Sequence, residues 1–206
     1  MQRVVLQYLS IKIVKWKKGD KLNLYFNLIY IKKKDLNILE ALQKTWGVGK
    51  IYKHGQDSSM YRVSSLKNLR VITRHFENYL LISQKSADYL LFKKSIDLIQ
   101  EKLHLTEKGL LTLVGIKSVL NWGLSEKFKD TFPNMIPVVR PKVDFSDIKD
   151  VYWLIGFLEG EESFMVIIQE SKSKITTDNL GLRFVITQHY KESLLLDNIS
   201  NYLGCG

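Results

Sequence analysis

Apolar and polar positions alternate along residues 10–14 and 21–31, and alternation with β-branched side chains predicts strands. The period changes over residues 35–46. There Leu36, Leu39 and Leu42, with Ile38, fall on one helical face, and Gly47 is a natural stop. Residues 50–54 and 60–64 read as a hairpin around Gly55. Helical spacing then covers 66–76, 86–102 and 106–120. Tyr89, Leu91, Phe92, Ile96 and Ile99 supply core positions, and Thr106 is a candidate N-cap. The three prolines, Pro133, Pro137 and Pro141, exclude regular helix or central strand around them. The stretch 133–146 is therefore expected to be an extended linker.

Beyond the linker a β-β-α pattern starts again at Ser163, and it repeats the first. Leu22-Asn-Leu-Tyr-Phe26 matches Leu180-Gly-Leu-Arg-Phe184. Lys34-Asp35, Ile38-Leu39 and Leu42 match Lys191-Glu192, Leu195-Leu196 and Ile199. Each helix ends in Gly-x-Gly, Gly47-Val-Gly49 and Gly204-Cys-Gly206. An internal repeat constrains fold more than any local preference, and this one predicts an α+β chain of two related modules.

Composition changes the picture in two ways. The net charge is +10, from 31 Lys+Arg against 21 Asp+Glu, which points to an anionic partner such as nucleic acid; a solvated basic surface is the alternative. Cys205 is the single cysteine, and His54, His75, His104 and His189 lack metal-ligand spacing, which excludes a disulfide framework and a thiolate zinc site. No apolar run reaches the roughly 18 residues of a membrane span, so no membrane partner is expected. The first 19 residues contain no acid, as in a mitochondrial presequence, but residues 10–14 are β-branched and read as a strand.

The candidate chemistry lies in Trp153-Leu-Ile-Gly-Phe-Leu-Glu-Gly-Glu-Glu-Ser-Phe164. Asp147 is a plausible N-cap, and Ile148, Val151, Leu154, Ile155 and Leu158 form a helical stripe. Gly156 and Gly160 lie one turn apart, a spacing that lets a second backbone approach. Glu159, Glu161 and Glu162 crowd the helix C-terminus, where the macrodipole is already negative. A local rule broken three times points to function, and carboxylates there suit an oxygen-loving cation such as Mg²⁺.

This stretch, Leu154 to Glu161 followed by Ser163-Phe164, resembles the motif of the LAGLIDADG homing endonucleases. Leu81-Ile-Ser-Gln-Lys-Ser-Ala-Asp-Tyr89, His104-Leu-Thr-Glu-Lys-Gly-Leu110, Ile116-Lys117 with Asn121-Trp-Gly123, and Ile186-Thr-Gln-His189 resemble segments of its two-repeat fungal organellar branch. The resemblance implies αββαββα repeats whose antiparallel sheets form a saddle over double-stranded DNA. It implies motif helices packed through glycines at Gly156 and Gly160, and divalent metal, Mg²⁺, held between two acids. It implies metal-activated water attacking one phosphodiester in each strand, a monomer, and a mitochondrial, intron-encoded origin. Glu161 is implied as the catalytic metal ligand, with Glu159 beside it. By the same resemblance, 1–132 is a first repeat lacking its acidic motif helix, 133–146 a linker, and 147–206 the N-terminal part of a second repeat.

Two departures stand out. Glu162 occupies the motif-final glycine, and repeat one places Tyr8 opposite Glu161 and Leu6 opposite Glu159, with no carboxylate. A neutral phenol does not substitute as a Mg²⁺ ligand. The expectation is a chain, apparently truncated at both ends, that binds DNA weakly and cleaves poorly. An RNA maturase acting on its own intron, or an inactive remnant, is the alternative.

Strand alternation divides the residues further. Ile11, Ile13, Leu24, Phe26, Ile51, Tyr61 and Val63 are expected to face helices. Ser10, Lys12, Tyr25, Asn27, Lys50, Tyr52, His54, Met60, Arg62 and Ser64 are expected to face DNA. In the second repeat Phe164, Val166, Leu182 and Phe184 are expected inward, and Met165, Ile167, Gln169, Arg183, Val185 and Thr187 outward. Basic residues in such a set suit guanine edges or phosphates, and Asn or Gln suit adenine.

Overall fold

The computed structural model describes residues 5–14, 21–30, 36–56, 58–120, 123–143, 147–169 and 179–206. The chain divides into two units, Val4–Asp144 and one that includes Phe145–Gly206.

In the larger unit, β1 (Val5–Val14), β2 (Lys21–Tyr30), β3 (Lys50–His54) and β4 (Ser58–Val63) form one antiparallel sheet in the order β1-β2-β4-β3. Helices α1 (Leu36–Trp46), α2 (Leu66–Asn78), α3 (Lys85–Gln100) and α4 (Glu107–Val119) build the core with it. Tyr61 and Val63 of β4 enter that core with Leu39, Leu69, Ile72, Phe92, Ile96 and Leu113. The five core positions expected on α3, from Tyr89 to Ile99, are all buried. Ile38 is not: it is exposed at the rim of the stripe, while Leu39 is buried.

Local chemistry sets the ends of these elements. Ser65 and Thr106 cap α2 and α4, accepting from the N–H of Asn68 at 3.2 Å and of Gly109 at 3.1 Å. Gly47 ends α1 at φ +65, a left-handed conformation that glycine adopts without penalty. The following turn is then locked to β4. The Tyr61 hydroxyl donates to the Val48 carbonyl at 2.6 Å, and Tyr61 ring atoms lie 2.5 Å from where a Gly49 Cβ would stand. Burial pushes the Tyr61 hydroxyl pKa up to about 12, so it stays a donor across the physiological range. This lock fixes where β3 leaves α1.

A short helix not expected from the sequence, α5 (Glu126–Thr131), precedes the proline-containing stretch. Residues 132–143 are irregular, as the prolines require, but they are packed. Phe132 is buried with Leu110 and Val114, and Val138 lies against the main core. A Cβ at Gly115 would lie 2.4 Å from the Ile136 carbonyl oxygen, so this glycine lets the strap cross α4. Arg140 donates to Asp88 at 2.6 Å and to the Gln84 carbonyl at 3.1 Å. The strap is thus part of the first unit.

The second unit contains α6 (Val151–Glu161), β5 (Glu162–Gln169), β6 (Asn179–Ile186) and α7 (Ser193–Leu203). β5 and β6 pair antiparallel, with Phe164 opposite Phe184 and Met165 opposite Arg183. The helix begins at Val151, and the Asp150 carboxylate accepts from the Tyr152 N–H at 2.8 Å, so Asp150 takes the capping role expected of Asp147. α7 buries Leu195 and Ile199 and ends at Gly204, φ +69, as α1 ends at Gly47. The β-β-α order and glycine terminator of the first unit recur here, as the sequence repeat predicts.

Candidate nucleic-acid interface

The register of the four-stranded sheet gathers one set of residues on one face. Asn27 is opposite Arg62, and Arg62 is opposite Lys50. Met60 is opposite Tyr52, Ser58 opposite His54, and Ser10 opposite Tyr25. Lys12 follows Ser10 two residues on and shares its face. The expected outward set therefore lies together across all four strands. The side chains of Ser10, Lys12, Tyr25 and Asn27, and of the inward set Ile11, Ile13, Leu24 and Phe26, are outside the described residues. Lys50, Tyr52, His54 and Ser64 are exposed and Arg62 is half-buried. Tyr61 and Val63, on the other face, are in the core, with Ile51 packed against it.

Met60 departs from expectation. It is on the outer face by register, yet it is only 6% exposed. Its sulfur lies 3.5 Å from Arg62 Nη2, and the Arg62 guanidinium is 5.7 Å from the centre of the Tyr52 ring. Met60 is therefore a floor under Arg62 rather than a contact surface. Strand alternation gives the face of a residue, but larger neighbours decide whether it is covered.

In the second unit, Met165, Ile167, Gln169, Arg183 and Val185 share one face by register, and Thr187 follows the strand end. Met165, Arg183 and Thr187 are exposed, Ile167 and Val185 are half-buried, and the Gln169 side chain is outside the described residues. The opposite face corrects the sequence reading. Phe164 is 78% and Leu182 81% exposed, with Val166 and Phe184 exposed beside them. They share a face, as expected, but that face is exposed rather than buried against a helix among the described residues of the second unit. In the first unit the corresponding strands, β1 and β2, are followed by α1 and then by β3, β4, α2 and α3, and these later elements carry much of the core; in the second unit α7, the counterpart of α1, is the last described element.

The acids sit at the end of α6. Glu159 is exposed, Glu161 is the last helical residue and Glu162 the first of β5. The side chains of Glu161 and Glu162 are outside the described residues. Among the described residues no group of three His, Cys, Asp or Glu is placed to hold a metal. Gly156 and Gly160 lie on the helix with no described atom within 4 Å of a Cβ built on either. Tyr8, the counterpart of Glu161 in the repeat, lies within β1 opposite Asn27, not at a helix end.

The family profile described as LAGLIDADG endonuclease matches residues 8–96 and 154–206. The chain is a member of the LAGLIDADG endonuclease family. The probable intron-encoded endonuclease 3 of Neurospora crassa is 37% identical over 176 residues, 84% of this chain and 33% of that protein. The chain thus spans about a third of the length of that curated relative. The LAGLIDADG meganuclease I-CpaMI, solved bound to uncleaved DNA, is 40% identical with a TM-score of 0.88, over 96% of this chain and 68% of that one. I-SmaMI, solved on an uncleaved DNA target in the presence of calcium ions, is 37% identical with a TM-score of 0.89, over 97% of this chain and 69% of that one. LAGLIDADG membership explains the α+β sheet-and-helix repeat, and no described helix is long and apolar enough to cross a membrane.

Proposed function

We propose that this chain is the duplex-reading portion of a site-specific, intron-encoded homing endonuclease. The carrying observation is the register that lines Asn27, Arg62 and Lys50 across one sheet, with Tyr52, His54, Ser10, Tyr25 and Lys12 on the same face. That face combines basic groups for phosphates with planar hydrogen-bonding groups for base edges. Arg183, Met165, Gln169 and Thr187 are its proposed counterparts in the second unit. The DNA in the relatives' structures and the net charge of +10 support the reading. The relatives' intron-encoded nature supports a mitochondrial, organelle-encoded origin.

Glu161 and Glu159 are the proposed ligands of a divalent cation, Mg²⁺. Alone they do not make up a pair of acids from both repeats, because Tyr8, the repeat counterpart of Glu161, carries no carboxylate. No catalytic step is therefore assigned to these residues by themselves. The expected activity of this chain is sequence-selective binding with little hydrolysis.

The test is selection of bound sequences from a random duplex pool by the purified chain, followed by affinity and cleavage measurements. Enrichment of one long motif supports the reading. Efficient Mg²⁺-dependent double-strand cleavage would overturn the expectation of little hydrolysis. Tighter binding to intron RNA than to any duplex would favour a maturase instead.

A further inference from the structure

A strand at the edge of a sheet has a neighbour on one side only, so its ends fray unless something else holds them. β3 is such a strand: among the described residues it pairs with β4 alone, and it is 5 residues long. Its far end turns at Gly55, φ +71, into β4. Its near end leaves α1 through Gly47-Val48-Gly49, and side chains from two other elements grip the carbonyls of that turn. From β4, the fully buried Tyr61 donates its hydroxyl to the Val48 carbonyl at 2.6 Å. From α1, the Gln43 side-chain amide donates to the Gly49 carbonyl at 2.9 Å. The second repeat grips its turn in the same way. Ser200 on α7, at the position that matches Gln43, donates to the Cys205 carbonyl at 3.2 Å, within Gly204-Cys205-Gly206. One position thus clamps the Gly-x-Gly turn in both repeats with different side chains, so what recurs is the hold on the turn.

We infer that Tyr61 and Gln43 are positioning residues for DNA binding: from behind the sheet they hold the start of β3 and so fix where the strand presents Lys50 to the duplex. The inference rests on the proposed reading of duplex DNA by this face. Tyr61 lies in the core, so it acts only through the backbone it grips. Lys50 directly follows Gly49 and is exposed, so slack in the turn passes straight to it. A strand start already ordered in the free protein has less freedom to lose on binding, so the clamp raises affinity without adding a contact. The two parts of Tyr61 separate these roles. Its ring packs in the core and fills the space a Gly49 side chain would need, while its hydroxyl holds the turn.

The test compares the full chain with Tyr61→Phe and Gln43→Met, each alone and combined with Lys50→Ala. Affinity is measured on the best duplex from the selection above, and hydrogen exchange on the free proteins. Tyr61→Phe keeps the ring, and a thermal melt verifies the fold; should it fail to fold, Gln43→Met carries the same comparison. Tyr61→Phe is expected to weaken affinity about threefold to tenfold. It should also speed exchange across β3 while leaving α3 and α4 unchanged. Gln43→Met should act in the same direction. With Lys50→Ala present the loss should shrink, because both changes act through one strand. Unchanged affinity in the folded variants, or a loss equally large with and without Lys50, would overturn the inference and leave the DNA-reading proposal standing. If the unaltered chain enriches no duplex, the two fail together.

Discussion

Arg140 and Asp88 are separated by 52 residues of sequence, and their side chains meet at 2.6 Å. The contact ties the proline strap to the start of α3. The Asp88 side chain is 11% exposed, so its charge has little water to turn to, although Lys85 stands 3.7 Å away. Removing the guanidinium leaves an under-compensated carboxylate. Arg140→Ala is expected to cost about 2 kcal/mol, discounted for the partly exposed guanidinium, or roughly 4–8 °C in melting temperature. Limited proteolysis should also become faster within residues 133–143. An unchanged melt and cleavage pattern would show that the strap is held by Phe132 and Val138 alone.

The same substitution should act in opposite directions at two glycines. Gly115→Ala places a methyl 2.4 Å from the Ile136 carbonyl oxygen and is expected to destabilise by about 1–3 kcal/mol. Gly156→Ala meets no described atom within 4 Å and replaces glycine within a helix, so it should stabilise by up to about 1 kcal/mol. Urea midpoints decide. A destabilising Gly156→Ala would mean that something packs on that glycine.

His75 contributes a pH dependence to stability. It lies in an aromatic nest, 5.3 Å from Trp46 and from Phe76 and 4.9 Å from Tyr79 between ring centres, and burial lowers its pKa below the usual histidine range. The folded state therefore favours the neutral ring. Its contribution is fully present above the ordinary pKa of about 6.5 and is lost as pH falls through that value toward the lower folded pKa. Chemical denaturation at pH 7.5 and at pH 5.5 should show a loss, and His75→Phe should make it smaller. An equal loss in the variant would assign the effect to carboxylates.

Under the proposed reading of duplex DNA, exposed Lys50 is expected to contact the phosphate backbone. Lys50→Ala should weaken all duplexes alike and lower the slope of log affinity against log salt by about 1. Affinity titrations across a salt series measure it. A sequence-dependent loss would instead make Lys50 a base contact.

The uncovered face of β5 and β6 should make this chain sticky. Phe164 and Phe184 lie 5.0 Å apart between ring centres in an exposed apolar patch. Among the described residues β6 pairs with β5 alone, leaving an open edge. Leu182→Thr with Phe164→Ser is expected to lower self-association in analytical ultracentrifugation without shifting the melt of the first unit. Unchanged, fully monomeric behaviour in the parent chain would show the patch to be covered.

The sequence by itself determined the repeat, the family and the order of the main elements, though not the short helix α5. These rest on local signals: period-2 and period-3.6 patterns, the cap at Thr106, the helix-ending glycines at 47 and 204, and the motif ending at Glu161. It also placed the outer-face residues together, because strand alternation fixes a face once the register is set. What it could not decide depends on neighbours distant in the chain. Strand backbone at Tyr8 reflects pairing with Asn27, and the buried state of Met60 reflects the residues packed beside it. The exposure of Phe164 and Leu182 depends on which helices cover their strands. The Arg140–Asp88 tie joins segments with no local signature at either end. Pattern gives each residue a side, but only tertiary packing decides what stands on that side, because burial and charge pairing depend on distance in space rather than along the chain.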